Sequence, residues 1–570
     1  MYFKRILVTV VFLATVLFCV QAFSQQYALL IIAPYEFVDE LQPLKNWKDE
    51  TGRPTIIVSL GEIEEKDYGE VRDQPEQIKR FIDEYVRNHN VKYVMLVGDS
   101  DKFPVRYIKA YNTEWGDKYY PSDLYYMDLY DSNGDFDDWD GDGDDIIGEM
   151  DFTGGTNIAN VNLDNINMYP DVAVARVPAS TEPEVSTYVN KVMDYEHLAP
   201  GTWFNDAYLV VGDWGGDAKM DAIVTYLGDF TTHKRYMSDS PWNTMNDGQR
   251  ADEMNNFLNA GTGLVLYHGH GNRDQWSHWY YQNKMGNLTN NNMLPVMFAT
   301  ACYTGRFHFA RNYYLDKNGL EWNGGGTNFP EPMAVQPSLY DTNENESLAE
   351  HFLVKRNTGA IGYIGCTSKC EHGAWLDPTK GLSPYFLEAY DNGTRFLGNM
   401  WKKALTKFID DLKDPITGGM HYYAFIHIHK MILFGDPSLA VGGLASISTI
   451  PDIKVNDFFD GPISLAQDDS LSVTVSLDPG NNQGTPADWW LAALTPYGLY
   501  FFTFGGWVTD WLPAYQGPLF PVPLLELFNF PLSGFPAGTY ILYFGVDTNM
   551  DSSITWDSLY YDTVVVNITE

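Results

Sequence analysis

The chain has 570 residues, 45% of them hydrophobic and 15% aromatic, which is enough apolar material for several packed domains rather than one. Its 75 acidic residues outnumber 37 basic ones, for a formal charge of −38, and this argues against a nucleic-acid partner, whose phosphates need basic surface. An acidic surface suits solubility, cation binding or attraction of basic substrates.

Residues 1–24 read as an export signal. Lys4 and Arg5 precede an apolar run from Ile6 to Val20, and Ala22-Phe23-Ser24 offers small residues for a cut before Gln25. A single-span anchor is the alternative, but the run is short for a bilayer and no later segment approaches a spanning length. The expectation is a secreted, periplasmic or cell-surface protein with no stable membrane insertion after signal removal. Cys19 leaves with the signal, so three cysteines remain. In an oxidising compartment Cys366 and Cys370 can pair within one loop, which leaves Cys302 as the odd thiol. A lone cysteine is more often inert packing than a nucleophile, so its neighbours decide.

From residue 25 to 200 the pattern is strand, helix, strand. YALLIIAP, TIIVSL and VKYVMLVGD are predicted buried strands, with helices over EFVDELQPLKNWKDE and Gln77 to Val86 between them. That order implies parallel pairing through crossover helices. Between Pro121 and Tyr169 an acidic insertion interrupts it. There Asp138, Asp140, Asp142, Gly143, Asp144 and Glu149 match the spacing D-x-D-x-D-G-x5-E, in which alternating carboxylates around a glycine turn can enclose a hard cation. No helix of normal length flanks the loop. We read it as a calcium-type loop without the hand, in which the ion is structural. A solvated acidic turn is the plainer alternative. The strand YPDVAVARVPA and a helix over Glu182 to His197 close this N-terminal α/β subdomain.

The second segment, 201–442, continues in α/β order. AYLVVGDWGGD is a strand opening into a glycine loop. A helix over Arg250 to Asn259 leads into Leu264 to Tyr267, a strand that delivers His268-Gly269-His270-Gly271. The next strand, Val296 to Ala299, delivers Thr300-Ala301-Cys302-Tyr303-Thr304-Gly305. In open α/β sheets chemistry sits just beyond the carboxyl ends of such strands, so a histidine and the odd cysteine become candidate neighbours. His268 and His270 lie at i and i+2, so both can approach Cys302. Equally, the pair could form half of a zinc site completed by His278 or His308. The strand GAIGYIGC, a helix near Pro384 to Ala389, the helix Leu397 to Leu412 and a helical run from Tyr422 to Leu433 follow. Residues 443–452 read as a linker. Residues 453–570, with LSVTVSL, WWLAALT, LYFFTF, GTYILYFGVD and LYYDTVVVNI between turn residues, read as an all-β, immunoglobulin-like sandwich. Asp547, Asn549 and Asp551 there are taken as a loop turn in preference to a calcium site.

Several separated motifs resemble the gingipain family of cysteine peptidases, in the caspase-like clan. YHGHG is similar to its histidine motif and NLTNNNMLPVMFATACYTGRF to its cysteine motif. TGAIGYIGCTS, LFGDPSLAV, VMLVGDSDKFP and MYPDVAVARVPA resemble further parts, over roughly Tyr27 to Gly442. The resemblance implies a caspase-like, parallel-sheet catalytic region in two subdomains, protein or peptide substrates and no organic cofactor. It makes Cys302 the nucleophile and His270 the catalytic histidine, with main-chain N–H groups of Cys302 and Gly271 facing the oxyanion. It also implies a basic P1 preference. The acid that serves it is carried over less directly, because the motif here reads Gly212-Asp213-Trp214-Gly215-Gly216: Asp213 is the candidate to orient His270, Asp217 or Asp221 to line S1, and Trp375 to cap that pocket. Two other functions stay open on the residues alone: a catalytically silent surface or adhesion protein on the same fold, and a zinc-dependent hydrolase using His268 and His270.

Overall fold

The computed structural model describes residues 26–113, 116–151, 162–197, 201–213, 215–307, 314–315, 321–322, 346–370, 380–413, 422–444, 449–456, 463–556 and 558–569. The predicted signal, Trp375 and His308 lie outside them. The chain divides into two compact units, Met1–Gly443 and Leu444–Glu570.

The first unit is built on one ten-stranded sheet. Its strands are β1 (Leu29–Ala33), β2 (Thr55–Ser59), β3 (Tyr93–Val97), β4 (Ala173–Val177), β5 (Asp206–Val211), β6 (Thr231–Tyr236), β7 (Leu264–His268), β8 (Val296–Thr300), β9 (Gly362–Cys366) and β10 (Met431–Phe434). The spatial order is β2-β1-β3-β4-β10-β9-β8-β7-β5-β6. All pairs are parallel except β9 with β10. The sheet therefore consists of two five-stranded blocks running in opposite senses, joined at that antiparallel seam. Most of these strands are continuous apolar runs, and β1, β3, β4, β7, β8 and β9 are buried along their whole length. That pattern requires cover on both faces, and helices supply it: α1 (Val38–Glu50), α2 (Gln74–His89), α3 (Glu182–His197), α4 (Asp217–Ile223), α5 (Asp247–Ala260), α6 (Leu348–Leu353), α7 (Leu382–Asp391), α8 (Leu397–Lys413) and α9 (Tyr422–Lys430).

Helix starts follow local chemistry. Asp73 caps α2 by accepting from the Glu76 amide, with Pro75 in the first turn. Asn246 with Gln249 and Ser347 with Glu350 form capping boxes at α5 and α6.

One sequence expectation changes here. The run from Tyr422 to Leu433 is not helical throughout: the helix ends at Lys430, and Met431–Phe434 becomes β10. A four-residue apolar run carries no period that separates strand from helix. The slot between β4 and β9 decides, because there MILF is buried on both sides. Gly435 ends the strand at φ 136°, where a Cβ would come within 2.9 Å of the Tyr188 hydroxyl. Thus the last strand of segment 201–442 pairs with β4 of segment 25–200. Just past the end of β10, Asp436 joins Lys48, Arg53 and Glu196 in a buried ion cluster, with Lys48–Glu196 at 3.0 Å, Arg53–Glu196 at 2.6 Å and Lys48–Asp436 at 2.5 Å. Burial opposes ionisation of Glu196, but Arg53 and Lys48 outweigh it and hold the carboxyl at about 2.

The second unit is a β-sandwich. A three-stranded sheet over Ile450–Val455, Ser470–Asp478 and Val522–Pro531 shares a buried core with a seven-stranded sheet that includes Pro486–Thr495, Gly538–Asp547 and Leu559–Thr569. Asp547 accepts from the amides of Asn549 and Thr555 and from the Ser558 hydroxyl, the pattern of a loop-closing aspartate.

Candidate active site

Three parallel strands end in register. On β7, His268 is paired with Thr300 of β8 on one side and with Val211 of β5 on the other. Each chain continues two residues beyond that row, to His270, Cys302 and Asp213 respectively. Neighbouring parallel strands lie about 4.8 Å apart, so the three residues follow adjacent strand ends, in the order cysteine, histidine, aspartate across the sheet. His268 itself is buried, with its ring edge against the Gly215–Gly216 turn: a Cβ on Gly216 would come within 2.2 Å of the ring. His270 is exposed and Cys302 half-buried. The two histidines therefore occupy different environments, and His270 is the one at the open strand end.

The glycines of this motif are there for space. A Cβ on Gly269 would lie 2.7 Å from the Tyr267 hydroxyl and 3.0 Å from the Gly212 Cα. A Cβ on Gly271 would lie 2.9 Å from the Ala301 Cβ and 3.0 Å from the Cys302 carbonyl oxygen. Small residues let the histidine and cysteine turns pack main chain against side chain. Tyr267 lies beneath them, fully buried, its ring stacked on Trp276 at 4.7 Å, and its hydroxyl donates to the His270 carbonyl. Burial, then the nearby Asp213, Tyr363 and Cys302, hold this phenol well above its ordinary range, so it stays a donor. Asp213 also approaches His278, at 3.7 Å, and His278 contacts Asp247 at 3.1 Å.

The other acidic candidates sit on α4. Asp217 accepts from the Ser238 hydroxyl at 2.6 Å. Asp221 is held by Lys234 at 2.6 Å and the Tyr236 hydroxyl at 2.9 Å, and the lysine bond depresses its carboxyl below the usual range. Of the two, only Asp221 has its charge matched by a lysine in these contacts.

The sulfur of Cys302 contacts the main chain of Cys370, with the Cys370 amide 3.3 Å and the carbonyl 3.6 Å away. Cys366 and Cys370 are joined as a disulfide, their Cα atoms 5.9 Å apart. Tyr303, next to the nucleophile candidate, has φ 61° and donates to the Ser368 carbonyl. Helix α6 ties both turns together: the Leu348 amide donates to the Arg273 carbonyl, and the Ala349 amide donates to the Thr304 carbonyl. Its far end is fixed by Lys191 of α3, whose buried Nζ donates to the carbonyls of Phe352, Leu353 and Thr358.

Among the described residues two groups of side chains converge as a metal site would, Asp140 with Asp142 and Asp164, and Asp142 with Asp144 and Glu149. Both are all-carboxylate, and neither includes His268, His270 or His278. Asp164 was invisible to the spacing argument because it lies beyond the loop. It accepts from the Gly141 and Glu149 amides and so folds back onto the loop. Burial and the crowding of Glu149 and Asp142 push its carboxyl up to about 7. Asp138, the first residue of the expected loop, instead faces Arg72 at 3.6 Å, and Arg72 also binds Asp140 at 2.5 Å.

With this geometry in view, the model of peptidase family C25 matches residues 23–442. The chain belongs to peptidase family C25. Among C25 relatives, Gingipain R2 of Porphyromonas gingivalis (strain ATCC BAA-308 / W83) is 20% identical over 292 residues, 49% of this chain and 32% of that protein. Gingipain R1 of Porphyromonas gingivalis is 20% identical over 301 residues, 50% of this chain and 25% of that protein. The matches thus span about a third or less of the curated relatives' length. The crystal structure of the Arg-specific cysteine proteinase gingipain R has the same fold, with a TM-score of 0.50 and 16% identity, covering 96% of this chain and 99% of that one. No helix among the described residues of this C25 chain is long and apolar enough to cross a membrane.

Proposed function

We propose that this C25 chain is an exported cysteine endopeptidase working through Cys302 and His270. The observation that carries the reading is the common register of β5, β7 and β8, which sets Asp213, His270 and Cys302 on adjacent strand ends. A thiol near neutral pH is mostly protonated, and a neighbouring imidazole takes that proton as the sulfur attacks. Cys302 adds to the peptide carbonyl, the C–N bond breaks as His270 returns the proton to the leaving amine, and water then hydrolyses the acyl-enzyme. Main-chain N–H groups of Cys302 and Gly271 stabilise the oxyanion, each worth about 3 kcal/mol where such donors have been removed. Asp213 orients the imidazole. A basic P1 side chain fits the acidic surroundings, and Asp217, whose contact above is a neutral hydroxyl, is the better placed of the α4 carboxylates to read it. Export, signalled by residues 1–24, accords with the Cys366–Cys370 disulfide.

Calcium is the ion proposed for the acidic loop. The donors are all carboxylate oxygens, and two of the five residues, Glu149 and Asp164, are buried, which suits a hard cation and not zinc. Asp140, Asp142, Asp144, Glu149 and Asp164 would hold it, and its role would be to neutralise a loop that otherwise repels itself. Turnover of an internally quenched peptide library tests the peptidase reading: Cys302→Ala should remove it and a zinc chelator should not. Turnover that survives in Cys302→Ala would overturn the assignment.

A further inference from the structure

The turn after β9 lies along the turn after β8 through a series of contacts. The Gly305 amide donates to the Cys366 carbonyl and the Tyr303 amide to the Ser368 carbonyl, both at 2.9 Å. The series ends where the Cys370 amide points at the Cys302 sulfur at 3.3 Å. The first two contacts are made by residues on or near β9. The last lies four residues beyond the strand end, where the chain is held by the covalent link from Cys370 back to Cys366 and by Lys430, which donates to the Lys369 carbonyl at 3.2 Å.

We infer that the Cys366–Cys370 disulfide is a positioning element of the active site, holding the main-chain N–H of Cys370 on the Cys302 sulfur, so that full activity requires the oxidised pair. The inference rests on Cys302 being the nucleophile. The Cys370 peptide meets both forms of the sulfur: its carbonyl, 3.6 Å away, accepts from the thiol, and its N–H donates to the thiolate. A hydrogen bond to the charged form favours that form. His270 approaches from β7, on the other side of β8 from β9, so proton acceptor and thiolate donor reach Cys302 from opposite sides. Cys366 and Cys370 are both buried, and their sulfurs do no chemistry in this account. A cysteine peptidase of this build should be slowed by the reductants that usually protect such enzymes.

The test is the pH dependence of Cys302 alkylation by iodoacetamide in the full-length protein and in Cys366→Ser/Cys370→Ser. The midpoint should rise by about one pH unit, and kcat should fall roughly tenfold while KM changes little. An unchanged midpoint with a uniformly lower rate would make the disulfide a purely structural staple and overturn the inference. Should the double variant not fold, the wild-type protein is assayed in a water-soluble phosphine, with circular dichroism as the fold check. Activity that falls and returns on reoxidation supports the inference, and activity indifferent to the phosphine contradicts it. Cys302→Ser with the disulfide intact separates this from the parent reading. Full turnover there would mean that Cys302 is not the nucleophile, whatever the disulfide does.

Discussion

The hydroxyl of Tyr267 donates to the main-chain carbonyl of His270 at 2.7 Å, from a ring fixed by its stack on Trp276, whose indole donates in turn to the Tyr363 hydroxyl at 3.0 Å. A buried aromatic layer thus sets the height at which the imidazole leaves the sheet. Tyr267→Phe keeps the ring and deletes one hydrogen bond, worth about 1 kcal/mol. We expect kcat to fall several-fold with KM nearly unchanged and the melting temperature lowered by only a few degrees. An equal loss in every parameter would mean that the hydroxyl serves stability alone.

Gly271→Ala places a methyl 2.9 Å from the Ala301 Cβ and 3.0 Å from the Cys302 carbonyl oxygen. Neither neighbour is a flexible side-chain end, so the two turns must move apart, at a cost of roughly 1–3 kcal/mol. Peptide turnover should drop at least tenfold, and thermal unfolding should show the destabilisation. Wild-type kinetics in this variant would mean that the turns do not touch as described.

The α6 brace carries a pH signature. Glu350 is buried in its first turn, and burial raises the carboxyl to about 7, while Asp99, buried and close enough to repel it, is raised in the same sense. Groups held above their unfolded values stabilise most below the unfolded pKa, and this contribution is lost as pH rises through the folded value. Arg176 and Lys355 moderate the effect without reversing it. Melting temperature should therefore decline between about pH 4.5 and 7, and Glu350→Gln should flatten that decline. Parallel curves for the two proteins would refute the assignment.

Calcium should raise the melting temperature of the full-length protein. Asp142→Ala should remove the effect, because Asp142 belongs to both carboxylate groups, and Asp164→Asn should weaken it. Titration followed by differential scanning fluorimetry gives the answer, and a rise that survives Asp142→Ala would place the ion elsewhere.

Much of this was legible in the residues. Leu264 to Tyr267 and Val296 to Ala299 are continuous apolar runs that stop at glycine-rich, reactive sequence, and that alone points to strand ends with chemistry beyond them. Which strands would be neighbours was not legible, because register between β5, β7 and β8 is set by packing over distances that no local pattern records. The same holds for Met431–Phe434, whose strand state depends on β4 and β9. Asp164 joins the acidic loop through main-chain amides of residues far from it in sequence, and Lys191 reaches α6 across the fold. Neither leaves a spacing signal. His270 was separated from His268 by motif resemblance, and the structure adds a physical difference, one ring exposed at the strand end and the other buried against Gly216.

The most direct test is covalent capture with a peptidyl acyloxymethyl ketone bearing a basic P1 residue, read by mass spectrometry of the intact protein and its peptides. One adduct should form, on Cys302, absent in Cys302→Ala and formed far more slowly in His270→Ala. An adduct on another residue, or an undiminished rate without His270, would contradict the assignment.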